Sequence, residues 1–162
     1  MAKNLVIIPT FNEHENIEDI ILSVVKLKGS FELLIIDDSS PDGTAEIVKK
    51  LQEKYPNKVH LIERVGKSGL GTAYIEGFEY AINQHYDYIF EMDADFSHNP
   101  EDLIKLFNAC DKEGYDMAIG SRYIQGVNVV NWPIGRVLMS YFASIYVRVI
   151  TGMPIMDTTA GF

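Results

Sequence analysis

The apolar residues of this chain fall in short, nearly continuous runs, and each run stops at a cluster of polar side chains. Residues 5–8, 31–36, 59–62, 88–92 and 117–119 are such runs. A strand that is apolar at nearly every position is buried on both faces, which requires a sheet covered by helices on each side. The segments between them carry helical spacing. Ile17, Ile20, Ile21, Val24 and Val25 recur on one face, and Gly29 marks the end of that helix. Further helices are expected over 44–54, over 72–84, and from Pro100, with Leu103, Ile104, Leu106 and Phe107 turned inward. Asn99 is expected to cap that last helix, with Pro100 at its first position. Strand and helix alternate along 162 residues, so the fold class is α/β, a mostly parallel sheet in one domain spanning 1–162.

Parallel strands present their carboxyl ends on one edge, where ligands of open α/β sheets bind. Four polar clusters converge there: residues 9–13 (Pro-Thr-Phe-Asn-Glu), Asp37-Asp38, Asp93 with Asp95, and Ser121-Arg122. Asp93 and Asp95, two apart in extended chain, point the same way. Neighbouring carboxylates repel, and a hard divalent cation relieves that repulsion. Mg²⁺ or Mn²⁺ held so would keep open positions for a diphosphate. The plainer alternative is that Asp95 supports the next helix. Asp37-Asp38 reads as turn carboxylates or as hydrogen-bond acceptors for a base or ribose. Glu13 reads as a helix-start acid or as a ligand of the same nucleotide. Gly66-Lys67-Ser68 is similar to the end of a phosphate-binding loop, but Leu61 stands where its leading glycine belongs. His14, His60, His85 and His98 show no metal-ligand spacing and no catalytic order with a serine or cysteine.

A net charge of −9 argues against nucleic-acid binding. The charge is uneven: residues 1–120 hold 11 basic and 22 acidic residues, whereas 121–162 hold Arg122, Arg136 and Arg148 against Asp157. Residues 127–133, with Trp132, read as an extended loop. Residues 134–150 read as a helix apolar nearly all round, bearing Tyr141, Phe142 and Tyr146. It is short for a spanning helix, so it is expected to be buried or to lie in a membrane interface. One cysteine, Cys110, in an apolar helical pattern fits a buried thiol and a reducing compartment. The N-terminus enters a strand with no signal peptide, and a cytoplasmic location is expected.

Taken together, the motifs are far more specific than any one of them. Residues 9–13 and 36–44 (Ile-Asp-Asp-Ser-Ser-Pro-Asp-Gly-Thr) resemble the N-terminal half of family 2 glycosyltransferases of the GT-A fold. Residues 67–74 with Gly77-Phe78, residues 92–100, residues 120–123, Asn131-Trp132-Pro133, Arg136, Ser140 and residues 157–162 look like its dolichyl-phosphate mannose synthase branch. The resemblance covers the whole chain in order. It implies a Rossmann-like sheet with helices on both faces plus a C-terminal apolar helix. The activity implied is inverting, metal-dependent transfer of mannose from GDP-mannose to a polyprenyl phosphate at the cytoplasmic membrane face. By the same resemblance Pro9, Phe11, Glu13, Ile36 and Asp38 hold the nucleotide. Asp93 and Ala94 lie along the diphosphate sugar, Asp95 and Ser97 are the metal positions for Mg²⁺ or Mn²⁺, and Arg122 and Arg136 meet phosphate. Asp95, Arg122 and Arg136 are the expected catalytic residues, and Asp95 and Arg122 also touch the donor. Family members continue beyond Gly161-Phe162, so a catalytic domain truncated at its C-terminus is expected. A UDP-glucose polyprenyl-phosphate glucosyltransferase, or a non-catalytic nucleotide-sensing module, are the alternatives.

Overall fold

The computed structural model describes residues 2–67, 69–122, 133–158 and 160–162, and the side chain of Arg136 is outside that description. The readings made above on Ser68, Tyr123, Asn131, Trp132 and Thr159 fall on residues outside it too. The described chain runs β1 (Asn4–Thr10), α1 (Ile17–Val25), β2 (Phe31–Asp37), α2 (Thr44–Lys54), β3 (Val59–Glu63), α3 (Leu70–Asn83), β4 (Tyr88–Glu91), α4 (Asp102–Asp111) and α5 (Ile134–Thr151). The strands form one sheet in the order β3-β2-β1-β4, and every pairing is parallel. The order reverses between β2 and β4 about a central β1, so the switch point lies at the carboxyl end of β1.

Successive residues of β1 and β2 feed opposite layers, as the two-residue period of a strand dictates. Val6, Ile8, Leu33 and Ile35 face one layer and pack with Ile17, Ile20 and Val24 of α1, Val48 and Leu51 of α2, and Leu103 of α4. Leu5, Ile7, Leu34 and Ile36 face the other and pack with Ala73 and Ala81 of α3. Alanines suffice in α3 because the helix lies close to the sheet. A Cβ added at Gly77 would sit 2.7 Å from the Ile7 side chain.

Two expectations need correction. Residues 117–119 join no ladder: a cleft of about 500 Å³ is lined by both β4 and this run, and Met117 is exposed. Three apolar residues standing off from the sheet edge gain no ladder hydrogen bonds to hold them there. The helix expected from Pro100 starts instead at Asp102. Asn99 accepts the Glu101 N–H on its Oδ1 at 3.1 Å and the Asp102 N–H on its carbonyl at 2.9 Å. It therefore closes a turn ahead of the helix rather than capping it directly.

The tail helix α5 is turned inside out. Among its described side chains the buried one is Ser144, whereas Ile134, Met139, Phe142, Tyr146, Val149 and Ile150 are each more than 60% exposed. A water-facing helix shows the reverse arrangement. No helix of the described residues is long and apolar enough to cross a membrane.

Candidate active site

The carboxyl edge is organised first around β1 and β2. Past Thr10 the chain turns sharply, with Asn12 in the left-handed region at φ 60°. Short polar side chains of the β2–α2 loop catch it. The Asn12 N–H donates to Ser40 Oγ at 3.0 Å, Glu13 N–H to Thr44 Oγ1 at 3.0 Å, and His14 N–H to Asp42 Oδ2 at 3.1 Å. Phe11 and Glu13 are thereby fixed, half-buried, at the switch point.

The two aspartates that end β2 do different work. Asp37 is buried and accepts from Thr10 Oγ1 at 2.9 Å, Ser40 N at 2.8 Å and Ser40 Oγ at 2.6 Å. Its lone pairs are spent on holding the edge together. Asp38 is turned the other way and receives Arg64 Nε at 2.6 Å, in a pair whose side chains are 9% and 8% exposed. Arg64 also reaches Thr72 Oγ1 at 2.7 Å and the Gly69 carbonyl at 3.2 Å, so it staples the glycine-rich loop to the carboxyl end of β2. Next to it, Lys67 Nζ lies 4.1 Å over the Phe11 ring. Sequence reasoning noticed Lys67 only within the phosphate-loop-like Gly66-Lys67-Ser68 and passed over Arg64. Arg64 carries one usable signal, as the first residue past β3 on the edge where ligands bind. Pro9 is half-buried beside these groups, and the Ile36 side chain is wholly buried in the α3-side core.

The second half of the edge hangs from β4. The Met92 N–H donates to the Ile7 carbonyl at 3.1 Å and carries the strand direction into the loop 93–98. Asp93 is half-buried, Ala94 is buried and Asp95 is exposed, so the two carboxylates differ in environment. Burial pushes the Asp93 carboxyl up; the charge of Asp95 adds to that, and the proximity of His98 opposes it. Burial also presses on Asp95, but hydrogen bonds from the Ser97 side chain and backbone N–H outweigh it, the latter at 2.9 Å, and hold its carboxyl below the ordinary value. Asp95 is therefore the firmly anionic member. Ser97, itself exposed, spends its donors on Asp95, and its hydroxyl oxygen keeps only acceptor capacity.

His98, which showed no chemical signal in the sequence, sits within this loop. Its Nδ1 accepts the Asp93 N–H at 3.3 Å, and its ring stacks on Phe162 with centroids 4.8 Å apart and planes 6° apart. Burial lowers its basicity, and Arg122 adds to that against the pull of Asp93 and Asp95. The neutral ring then carries its proton on Nε2.

Arg122 is clamped by Asp157. Its N–H and Nε donate to Oδ2 at 3.1 and 2.8 Å and its Nη2 to Oδ1 at 2.7 Å, and the Asp157 side chain is wholly buried. A bidentate pair of this kind sets the plane of the guanidinium. Arg136 belongs to the first turn of α5; the placement of its side chain lies outside the described residues.

Among the described residues no three His, Cys, Asp or Glu side chains gather to hold a metal by themselves. That donor set still fits Mg²⁺ or Mn²⁺, which are often bound through one or two carboxylates with phosphate and water completing the sphere. A low-lying carboxyl at Asp95, exposed beside Asp93, is the group such an ion requires.

The family model described as glycosyl transferase family 2 matches residues 5–160. The polyprenol monophosphomannose synthase of Mycolicibacterium smegmatis is 44% identical over 160 residues, covering 99% of this chain and 60% of that protein. The undecaprenyl-phosphate mannosyltransferase of Micrococcus luteus is 41% identical over 161 residues, covering 98% of this chain and 64% of that protein. The chain thus spans less than two thirds of the length of either relative. Among solved structures, glucosyl-3-phosphoglycerate synthase from Mycobacterium tuberculosis, in complex with Mn²⁺, UDP and glucosyl-3-phosphoglycerate, aligns at a TM-score of 0.61 over 99% of this chain and 55% of that one. Its 16% identity makes the likeness one of fold.

Proposed function

The chain belongs to glycosyl transferase family 2 and has its GT-A-like fold, and from that premise we propose that it transfers mannose from GDP-mannose to a polyprenyl phosphate, with inversion. The observation that carries the reading is the unequal carboxylate pair at the end of β4, set beside a nucleotide edge formed by Phe11, Glu13 and Asp38. The reading is supported by the names of the two relatives, a polyprenol monophosphomannose synthase and an undecaprenyl-phosphate mannosyltransferase. Residues 1–162 are read as the catalytic domain, and α5 with its outward apolar face as the part that meets the lipid surface, peripherally.

In this reading Phe11 offers a stacking face for the base, and Pro9, Ile36 and Asp38 line the rest of the nucleoside site. Asp93 and Ala94 lie along the diphosphate sugar, and Asp95 with Ser97 holds the cation. Mg²⁺ or Mn²⁺, when bound, neutralises charge on the departing diphosphate. The acceptor phosphate is anionic near neutral pH, so no strong general base is needed. His98 agrees with that: its Nδ1 is engaged by the Asp93 N–H and the ring is held neutral. Arg122, its plane set by Asp157, orients the acceptor phosphate with Arg136, and catalysis is positioning with electrostatic stabilisation.

A transfer assay with radiolabelled GDP-mannose or UDP-glucose, polyprenyl phosphate and Mn²⁺ or Mg²⁺ tests this. Labelled lipid from GDP-mannose is expected, lost without the cation and lost in Asp95→Asn. Lipid product from UDP-glucose alone would replace the donor, and no lipid product from either would overturn the function.

A further inference from the structure

The loop 93–98 carries both carboxylates, yet little of its own backbone holds it. The ladder ends at Glu91, and the Met92 N–H makes the last bond to β1. Asp93 therefore has the first N–H beyond the sheet, in a half-buried place where an unpaired donor is costly. Three residues further, Phe96 is forced into the left-handed region at φ 58°, unfavourable for a bulky side chain. Something must hold that turn closed, and His98 is placed to do it. Its Nδ1 takes the orphan Asp93 N–H, joining the two ends of the loop across five residues.

The ring is itself held. Phe162 lies flat against one face. The backbone at Gly161 passes so near that a Cβ there would stand 3.6 Å from His98 Cε1 and 3.8 Å from Asp93 Oδ2. The Phe162 carbonyl in turn accepts the Gly120 N–H at 2.8 Å, two residues before Arg122. A short mechanical path therefore runs from the carboxylate loop through His98 and Phe162 to the segment that bears Arg122.

We propose that His98 is a positioning residue, a clasp whose Nδ1 fixes the Asp93 backbone so that Asp93 and Asp95 are presented together to the donor diphosphate and its cation. The proposal rests on the function proposed above. It does not depend on proton transfer by the ring, and its content is the acceptor atom rather than the stack behind it.

Two variants separate these. His98→Asn keeps an acceptor close to the position of Nδ1, and His98→Phe keeps the ring on Phe162 but removes the acceptor. Two readouts are taken on the 162-residue chain: hydrogen exchange of the Asp93 amide by NMR without ligand, and calorimetric affinity for GDP-mannose with Mn²⁺. In His98→Phe the Asp93 amide is expected to exchange faster and the Mn²⁺-dependent affinity to fall by about tenfold, as for a lost outer-shell partner. Its melting temperature should stay near that of the wild type, and His98→Asn should stay near the wild type in both readouts. Unchanged exchange and affinity in His98→Phe, or an asparagine variant as impaired as the phenylalanine one, overturns the clasp. A wild-type chain that binds no GDP-mannose overturns the function proposed above instead, and the exchange comparison then decides the clasp by itself.

Discussion

Glu91 ends β4 half-buried, and its carboxyl is raised first by burial and then by the charge of Asp93. A carboxyl whose folded value lies above its unfolded one costs stability when charged. No cost exists well below the ordinary value of 4.5, a deficit builds as pH rises through the raised value, and it stays constant above. Glu91→Gln is therefore expected to raise the melting temperature at pH 7 and to change little well below pH 4.5. A lower melting temperature at pH 7 would contradict that sign. At this scale the sequence was informative about position and silent about partnership. That Asp38, Asp93 and Asp95 belong to one edge follows from where apolar runs stop. That Asp37 is consumed by Thr10 and Ser40 while Asp38 faces Arg64 depends on which way the chain turns after β2. His98 was invisible because its role is created by the φ of Phe96 and by Phe162, a residue far along the chain.

Among the elements, α3 sets the tightest tolerance. Its approach to β1 depends on a missing side chain at Gly77, where a Cβ would lie 2.7 and 2.8 Å from two atoms of Ile7 and 3.2 Å from Ile36. Gly77→Ala gains helix propensity but overpacks that layer, and a net loss of about 1–3 kcal/mol in urea unfolding is expected. Stability equal to or above wild type would mean that the helix can move away at no cost. The helices and four strands were legible because apolar spacing is a local property. Residues 117–119 failed because an apolar triplet becomes a strand only when a partner edge comes within reach. The start of α4 was misplaced by two residues because Asn99 satisfied a turn before it could satisfy a helix.

For the whole molecule, the tail differs in both charge and exposure from the body it follows. Residues 121–162 carry a small positive excess on a chain of net charge −9, and α5 shows its large apolar side chains outward. Anionic vesicles should therefore retain the chain by apolar insertion assisted by charge. The double variant Phe142→Glu with Val149→Glu is expected to lose vesicle co-sedimentation while its circular dichroism and melting temperature hold. Retention equal to wild type would remove α5 as the contact.

The strand order has a further, kinetic consequence. Asn4 lies opposite both Phe31 and Tyr88. By loop-closure entropy the second pairing costs about 1 kcal/mol more than the first, because the chain to be closed is roughly three times longer. The half of the edge between β1 and β2, with Glu13 and Asp38, should thus assemble early, between neighbours in sequence, and the half after β4, with Asp93 and Asp95, should dock afterwards onto a surface already formed. Substitutions in β4 should then leave the refolding rate nearly unchanged and accelerate unfolding. In its life as a folding chain, this protein should acquire Glu13 and Asp38 in their places before Asp93 and Asp95 in theirs.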